Sequence, residues 1–148
     1  LSGSLILLVH FMTEGWMLYI KCHRKKIRLF LFKNFEHNIQ KNGENYMRIH
    51  VNFVVNNKLN EKIWVCAFFF DEDGNRLTSS NNEYKTPSGK LTVQDTDIST
   101  YKSCRWKDFV LEIPYSVIKK GSNKFHIKII DSDDNNLATS KYIHFTVY

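Results

Sequence analysis

Between Tyr46 and Val55 the side chains alternate strictly, with Met47, Ile49, Val51, Phe53 and Val55 apolar and Arg48, His50 and Asn52 set between them. A period of two places successive residues on opposite faces of an extended chain, so this segment reads as a strand with one face in a core and the other in water. The pattern returns three times. Phe109, Leu111 and Ile113 alternate with Asp108, Val110 and Glu112 before Pro114 ends the run; Phe125, Ile127 and Ile129 alternate with Lys124, His126 and Lys128; and a last strand over Tyr142 to Tyr148 buries Ile143, Phe145 and Val147. Ile63 to Phe70 is apolar on both faces and reads as a central strand. With Ile27 to Phe32 and a short strand near Lys90 to Gln94, seven or eight strands are expected. No helix-length pattern lies between them, so no βαβ unit is expected. The expectation is all-β, an antiparallel two-sheet sandwich of immunoglobulin-like or similar type over residues 27–148. Tyr115 to Lys120 is expected to make one helical turn ended by Gly121.

The 148 residues allow about one domain. A hydrophobic share of 43% with two prolines and six glycines is that of a packed globule, which excludes disordered and collagen-like chains. The chain begins at Leu1, and it is expected to be a fragment of a longer protein or a processed form of one. Its formal charge of +6 is unevenly placed: residues 1–34 carry six Lys/Arg against Glu14 alone, which leaves only +1 for the other 114 residues. A nucleic-acid footprint needs basic residues gathered on one face of the fold, so no nucleic-acid partner is expected. Three scattered cysteines (Cys22, Cys66, Cys104) make neither a disulfide framework nor a zinc motif.

Leu5 to Ile20 is an apolar stretch containing His10 and Glu14, followed at once by the basic run Lys21 to Lys26. It is expected to be helical and to form, with its flank, a segment (residues 1–26) distinct from the sandwich. Three readings stay open: a membrane helix or anchor through residues 5–26, a buried or surface helix, and a stretch foreign to the domain. If residues 5–20 span, the basic flank and the sandwich face the cytoplasm; otherwise the protein is expected to be cytoplasmic.

Candidate sites are sparse. Asp71 and Asp73 leave one strand and Asp131, Asp133 and Asp134 another; placed at one end of the sandwich, these turns would offer oxygen ligands to calcium. Asp-Gly and Asp-Asn runs also suit ordinary hairpin turns. His50, His126 and His144 share a solvent-facing parity that adjacent strands would turn into a cluster, whereas His37 is assigned to a structural loop. Arg105, Trp106 and Lys107 are the candidate ligand contacts, through stacking on a base or sugar. No nucleophile elbow or phosphate-binding glycine loop is present. Nothing catalytic, and no resident cofactor other than the calcium alternative, is expected.

The run Phe35 to Asn38, then Gly43, then Met47 to Phe53 resembles the opening of a β-sandwich domain found at the C-terminal end of multidomain proteins of Bacteroidetes-type bacteria. Asp73-Gly74, Leu77, Tyr84, Gly89, Tyr101, Asp108-Phe109, Ile113-Pro114-Tyr115 and Leu137 to Ser140 fit the later part of that domain. The resemblance covers about Ile27 to Tyr148; it departs at Tyr46, where that family tends to have Gly. It implies a bacterial accessory module with no activity of its own, attached to varied partner domains, and brings no functional residues with it. The expected function is therefore a non-catalytic interaction module of a larger, membrane-attached protein, its partner being a protein or the upstream domains of the same chain. The alternative is a carbohydrate-binding or calcium-dependent sandwich.

Overall fold

The computed structural model describes residues 34–148 in full and, before them, only the backbone of the strand segments 6–12, 15–22 and 25–33. Ten strands result: β1 (Ile6–Met12), β2 (Gly15–Cys22), β3 (Lys25–Lys41), β4 (Glu44–Asn56), β5 (Lys62–Asp71), β6 (Thr92–Ile98), β7 (Ser103–Pro114), β8 (Gly121–Ile130), β9 (Asn136–Thr139) and β10 (Ile143–Val147). They form two antiparallel sheets arranged as a sandwich. The first is β3-β4-β7, continued outward from β3 by β2 and β1; the second runs β6-β5-β8, and β9 and β10 both pair with β8.

Alternation decides which residues meet between the sheets. Met47, Ile49, Val51, Leu111 and Ile113 of the first sheet close on Val65, Phe69, Phe125, Ile127 and Ile129 of the second, all essentially without solvent contact. Phe125 lies at the centre of an aromatic group with Phe35, Phe69 and Phe145, at centroid distances of 6.0, 5.7 and 5.8 Å. Each such ring buries a large apolar area, and the edge-on and tilted arrangements are the favoured ones.

The hairpin β3–β4 turns on Asn42 and Gly43, both at positive φ (51° and 78°), which matches the twist of the flanking strands. Two further turns share one design: Asp71 N–H donates to the Asn75 carbonyl with Gly74 at φ 88°, and Asp131 N–H donates to the Asn135 carbonyl with Asp134 at φ 61°.

Some expectations are corrected. Over residues 6–12 and 15–20, where a helix was expected, the backbone runs as β1 and β2, paired antiparallel. The side chains there, including the basic run Lys21 to Lys26, lie outside the described residues, as do Thr13, Glu14, His23 and Arg24 altogether. Among the described residues no helix is long and apolar enough to cross a membrane. His37 stands inside β3 rather than in a loop. The turn after Pro114 is shorter than expected, three residues from Tyr115 to Val117, and Gly121 at φ 102° opens β8 instead of ending a helix.

Candidate binding face

The double-faced apolar run of β5 has a consequence on the outside of the second sheet. Ile63, Val65, Ala67 and Phe69 point into the core, so Trp64, Cys66, Phe68 and Phe70 point away from it. Something must cover those rings. Arg76, paired with Phe70 across the β5 hairpin, lays its guanidinium 4.8 Å from the centre of the Phe68 ring and 5.3 Å from that of Phe70. His126, opposite Phe68 in register, stands edge-on to Phe70 at 5.0 Å and stacks on Tyr142 at 5.2 Å. Lys124 lies over Tyr142 (4.7 Å), Lys128 over Phe68 (5.9 Å) and Lys62 over Trp64 (5.4 Å). Cations over ring faces are attracted by the ring quadrupole, so the rings hold the charged groups in place.

The electrostatics follow from this packing. Burial pulls the Arg76 guanidinium below its ordinary value, and its Nε and Nη2 are enclosed without a hydrogen-bond acceptor. Burial, then the charges of Lys128 and Arg76, push the His126 imidazole down to about 4, so it is neutral at pH 7. Burial likewise raises the Cys66 thiol to about 11, which leaves it inert near neutral pH. Among the described residues, Lys62, Arg76, Lys124 and Lys128 enter no ion pair with a carboxylate.

The outer face of the first sheet is the contrast. There His50 lies between Asp108 (Nδ1–Oδ1, 2.7 Å) and Glu36 (Nε2–Oε2, 2.8 Å). Arg48 reaches Glu36 at 3.8 Å and Glu112 at 3.6 Å, and Lys41 reaches Glu112 at 3.8 Å. One face of the sandwich pairs its cations with carboxylates; on the other, Lys62, Arg76, Lys124 and Lys128 lie over rings, and the Glu72 carboxylate meets His144.

The calcium candidates are not brought together. β5 and β8 are antiparallel, with Asp71 opposite Asn123 and Trp64 opposite Ile130, so the Asp71 and Asp131 turns sit at opposite ends of the sheet, roughly 20 Å or more apart along the strands. Their oxygens are engaged in turn bonds. Asp71 accepts from the Asn75 backbone (2.9 Å) and Nδ2 (3.1 Å), bonds that lower its carboxyl. Asp131, 1% exposed, accepts from Lys58 Nζ (2.8 Å), Asp133 N (3.0 Å), Asn135 N (2.9 Å) and Asn135 Nδ2 (3.1 Å). Burial opposes its ionisation, yet these donors, Lys58 foremost, draw it down to about 2. Asp73, Asp133 and Asp134 are exposed, and among the described residues no group of three or more His, Cys, Asp or Glu is arranged to hold a metal.

Arg105 and Lys107 are exposed, but Trp106 turns the other way: it stacks on Phe53 at 4.6 Å and its Nε1–H donates to Asp97 Oδ2 at 2.8 Å. It joins β7 to β6 across the open side of the sandwich and offers no free platform. Of the three histidines, His50 lies on the first sheet, whereas His126 and His144 share the outer face of the second on neighbouring strands; His144 Nδ1 lies 3.3 Å from Glu72 Oε1. A cleft of about 570 Å³, lined by His37, Asn38, Asn45, Tyr115 and Thr146, forms where β3 and β10 approach; within it the His37 ring stacks on Tyr115 and bonds its hydroxyl.

Arg76 was missed by sequence reasoning. Its signal was indirect: four outward apolar side chains on β5 required cover, and the first long side chain after the Asp71 turn supplies it. Compared with known proteins, the chain matches no family model and no curated protein.

Proposed function

We propose that the chain is a non-catalytic interaction module of a larger protein, and that it holds an anionic partner against the outer face of the second sheet. The observation that carries this reading is the set of cations on that face, Lys62, Arg76, Lys124 and Lys128, which lie over rings and, among the described residues, form no ion pair with a carboxylate. An anion would gain charge-assisted bonds there without breaking an ion pair, the internal partner of Lys124 being the Glu72 carbonyl at 3.4 Å. A neutral sugar gains less, because the rings it would stack on already carry cations. The strand order β3-β4-β7 against β6-β5-β8-β10 supports an immunoglobulin-like arrangement, a scaffold that serves binding in many proteins. The resemblance to a bacterial C-terminal accessory domain agrees with this reading.

The test is a titration of the isotopically labelled 148-residue chain with polyglutamate and with polyphosphate at low salt, followed by amide chemical shifts. Shifts concentrated at Arg76, Lys124 and Lys128 are expected, fading as salt is added. Shifts confined to other surfaces, or none, overturn the reading. So would turnover of ester, peptide or phosphate substrates abolished by one His or Asp substitution.

A further inference from the structure

Resting on that reading, we infer that the anionic partner is an extended acidic polypeptide segment with an apolar residue beyond its acidic positions, lying along β8 and β5. The cations are spaced along the face. Lys124 and Lys128 stand on the same side of β8, four residues and so about 13 Å apart, and Arg76 lies between their levels over Phe68 and Phe70. One step past Lys128 stand Trp64 and Ile130, opposite each other in register, with Lys62 over the Trp64 ring and Ile98, 51% exposed, across on β6.

An extended peptide repeats its same-side groups every second residue, about 7 Å apart. Acidic residues at three successive same-side positions therefore match Lys124, Arg76 and Lys128, and the fourth same-side position meets Trp64 and Ile130.

Other polyanions match less well. Nucleic-acid bases need open ring faces, and here Tyr142 carries His126 and Lys124 while Phe68 carries Arg76 and Lys128. A lipid surface calls for a continuous patch of protruding apolar side chains beside the cations, whereas Phe70 is buried, Phe68 half-buried, and the exposed Tyr142 and Ile98 lie at opposite ends of the face.

The experiment uses the full 148-residue chain and a fluorescent peptide, Glu-Ser-Glu-Ser-Glu-Ser-Leu-Ser, read by anisotropy. Saturable binding is expected, weakened about fivefold or more by Lys124→Gln and by Lys128→Gln, and weakened again when Leu of the peptide is replaced by Ser. Arg76→Gln is expected to act in the same direction, but because it also uncovers Phe68 and Phe70 the two lysine variants are the deciding ones. Lys41→Gln, on the outer face of the first sheet beside Glu112, should leave affinity unchanged. Binding no tighter than that of the peptide with Gln for Glu overturns the inference. If oligothymidylate or phosphatidylserine vesicles bind this face and the peptide does not, the acidic-polypeptide assignment falls while the anionic-partner reading stands. If no polyanion perturbs the face, both fall.

Discussion

Four side chains give the molecule a definite response to pH and to thiol reagents. His126 is held near 4 by burial and by Lys128 and Arg76, well below the ordinary histidine value of about 6.5. The folded form keeps the ring neutral while the unfolded chain takes up a proton, so stability is intact above about pH 6.5 and declines as pH falls toward 4. Solvent screening at this half-buried ring reduces the loss to on the order of 2 kcal/mol. Urea midpoints measured across that window should fall, and His126→Gln should flatten the slope. Asp131 acts lower down: its carboxyl is held near 2 against an unfolded value near 4, so its contribution, on the order of 2 kcal/mol, is present above about pH 4 and is lost between about 4 and 2. Asp131→Ala removes both the Lys58 pair and the bonds that close the turn, and a loss of roughly 3 kcal/mol in denaturation at pH 7 is expected. The cysteines differ in the same physical terms. Burial holds Cys66 near 11, while at Cys104 burial is outweighed by donors from Ser99, Tyr101 and Thr100, which lower the thiol. Peptide mapping after brief iodoacetamide treatment should find Cys104 modified ahead of Cys66.

At the level of elements, the sequence was most legible where one face is buried. The alternation of Met47 to Val55 and of Phe125 to Ile129 placed β4 and β8 with the correct faces inward, because burial on one side leaves only one register. The acidic turns were legible as turns, since Asp131 with Asn135 and Asp71 with Asn75 satisfy their own backbone groups. Their relative position was not, because it depends on the antiparallel pairing of β5 with β8, which no local pattern encodes. The Arg105-Trp106-Lys107 run misled for a related reason: composition suggested a platform, while the partner of Trp106, Phe53, stands opposite it on the neighbouring strand β4, far off in sequence. The length of β3 was also missed, although Asn42-Gly43 is a strong hairpin signal and could have revealed it. Gly43 has open space around the position a Cβ would take, so Gly43→Ala tests backbone strain alone. A loss of about 1 kcal/mol is expected by chemical denaturation, with no change in the surface buried.

On the scale of the whole molecule, the arrangement of charge and the arrangement of the core are separate matters. The candidate face was hidden from composition because residues 34–148 are nearly neutral, with carboxylates and cations paired on the first sheet and cations lying over rings on the second. Cohesion comes from elsewhere. Phe125 touches rings from both sheets, Phe35 of β3 on one side and Phe69 and Phe145 on the other, so neither sheet keeps a closed apolar interior without its partner. Two tryptophans report the two sheets, Trp106 in β7 and Trp64 in β5. With Trp16 replaced by Phe, variants retaining only one of them should unfold in urea with coincident fluorescence midpoints, as a single cooperative core requires. Phe125→Ala, which removes a buried ring at the junction, should lower both midpoints together through a loss of about 3–5 kcal/mol. Against a total stability of about 5–15 kcal/mol for a domain of ordinary size, that would bring the fold close to its limit. If the Trp64 and Trp106 midpoints separate instead, each sheet has its own source of cohesion and the shared-core account is wrong.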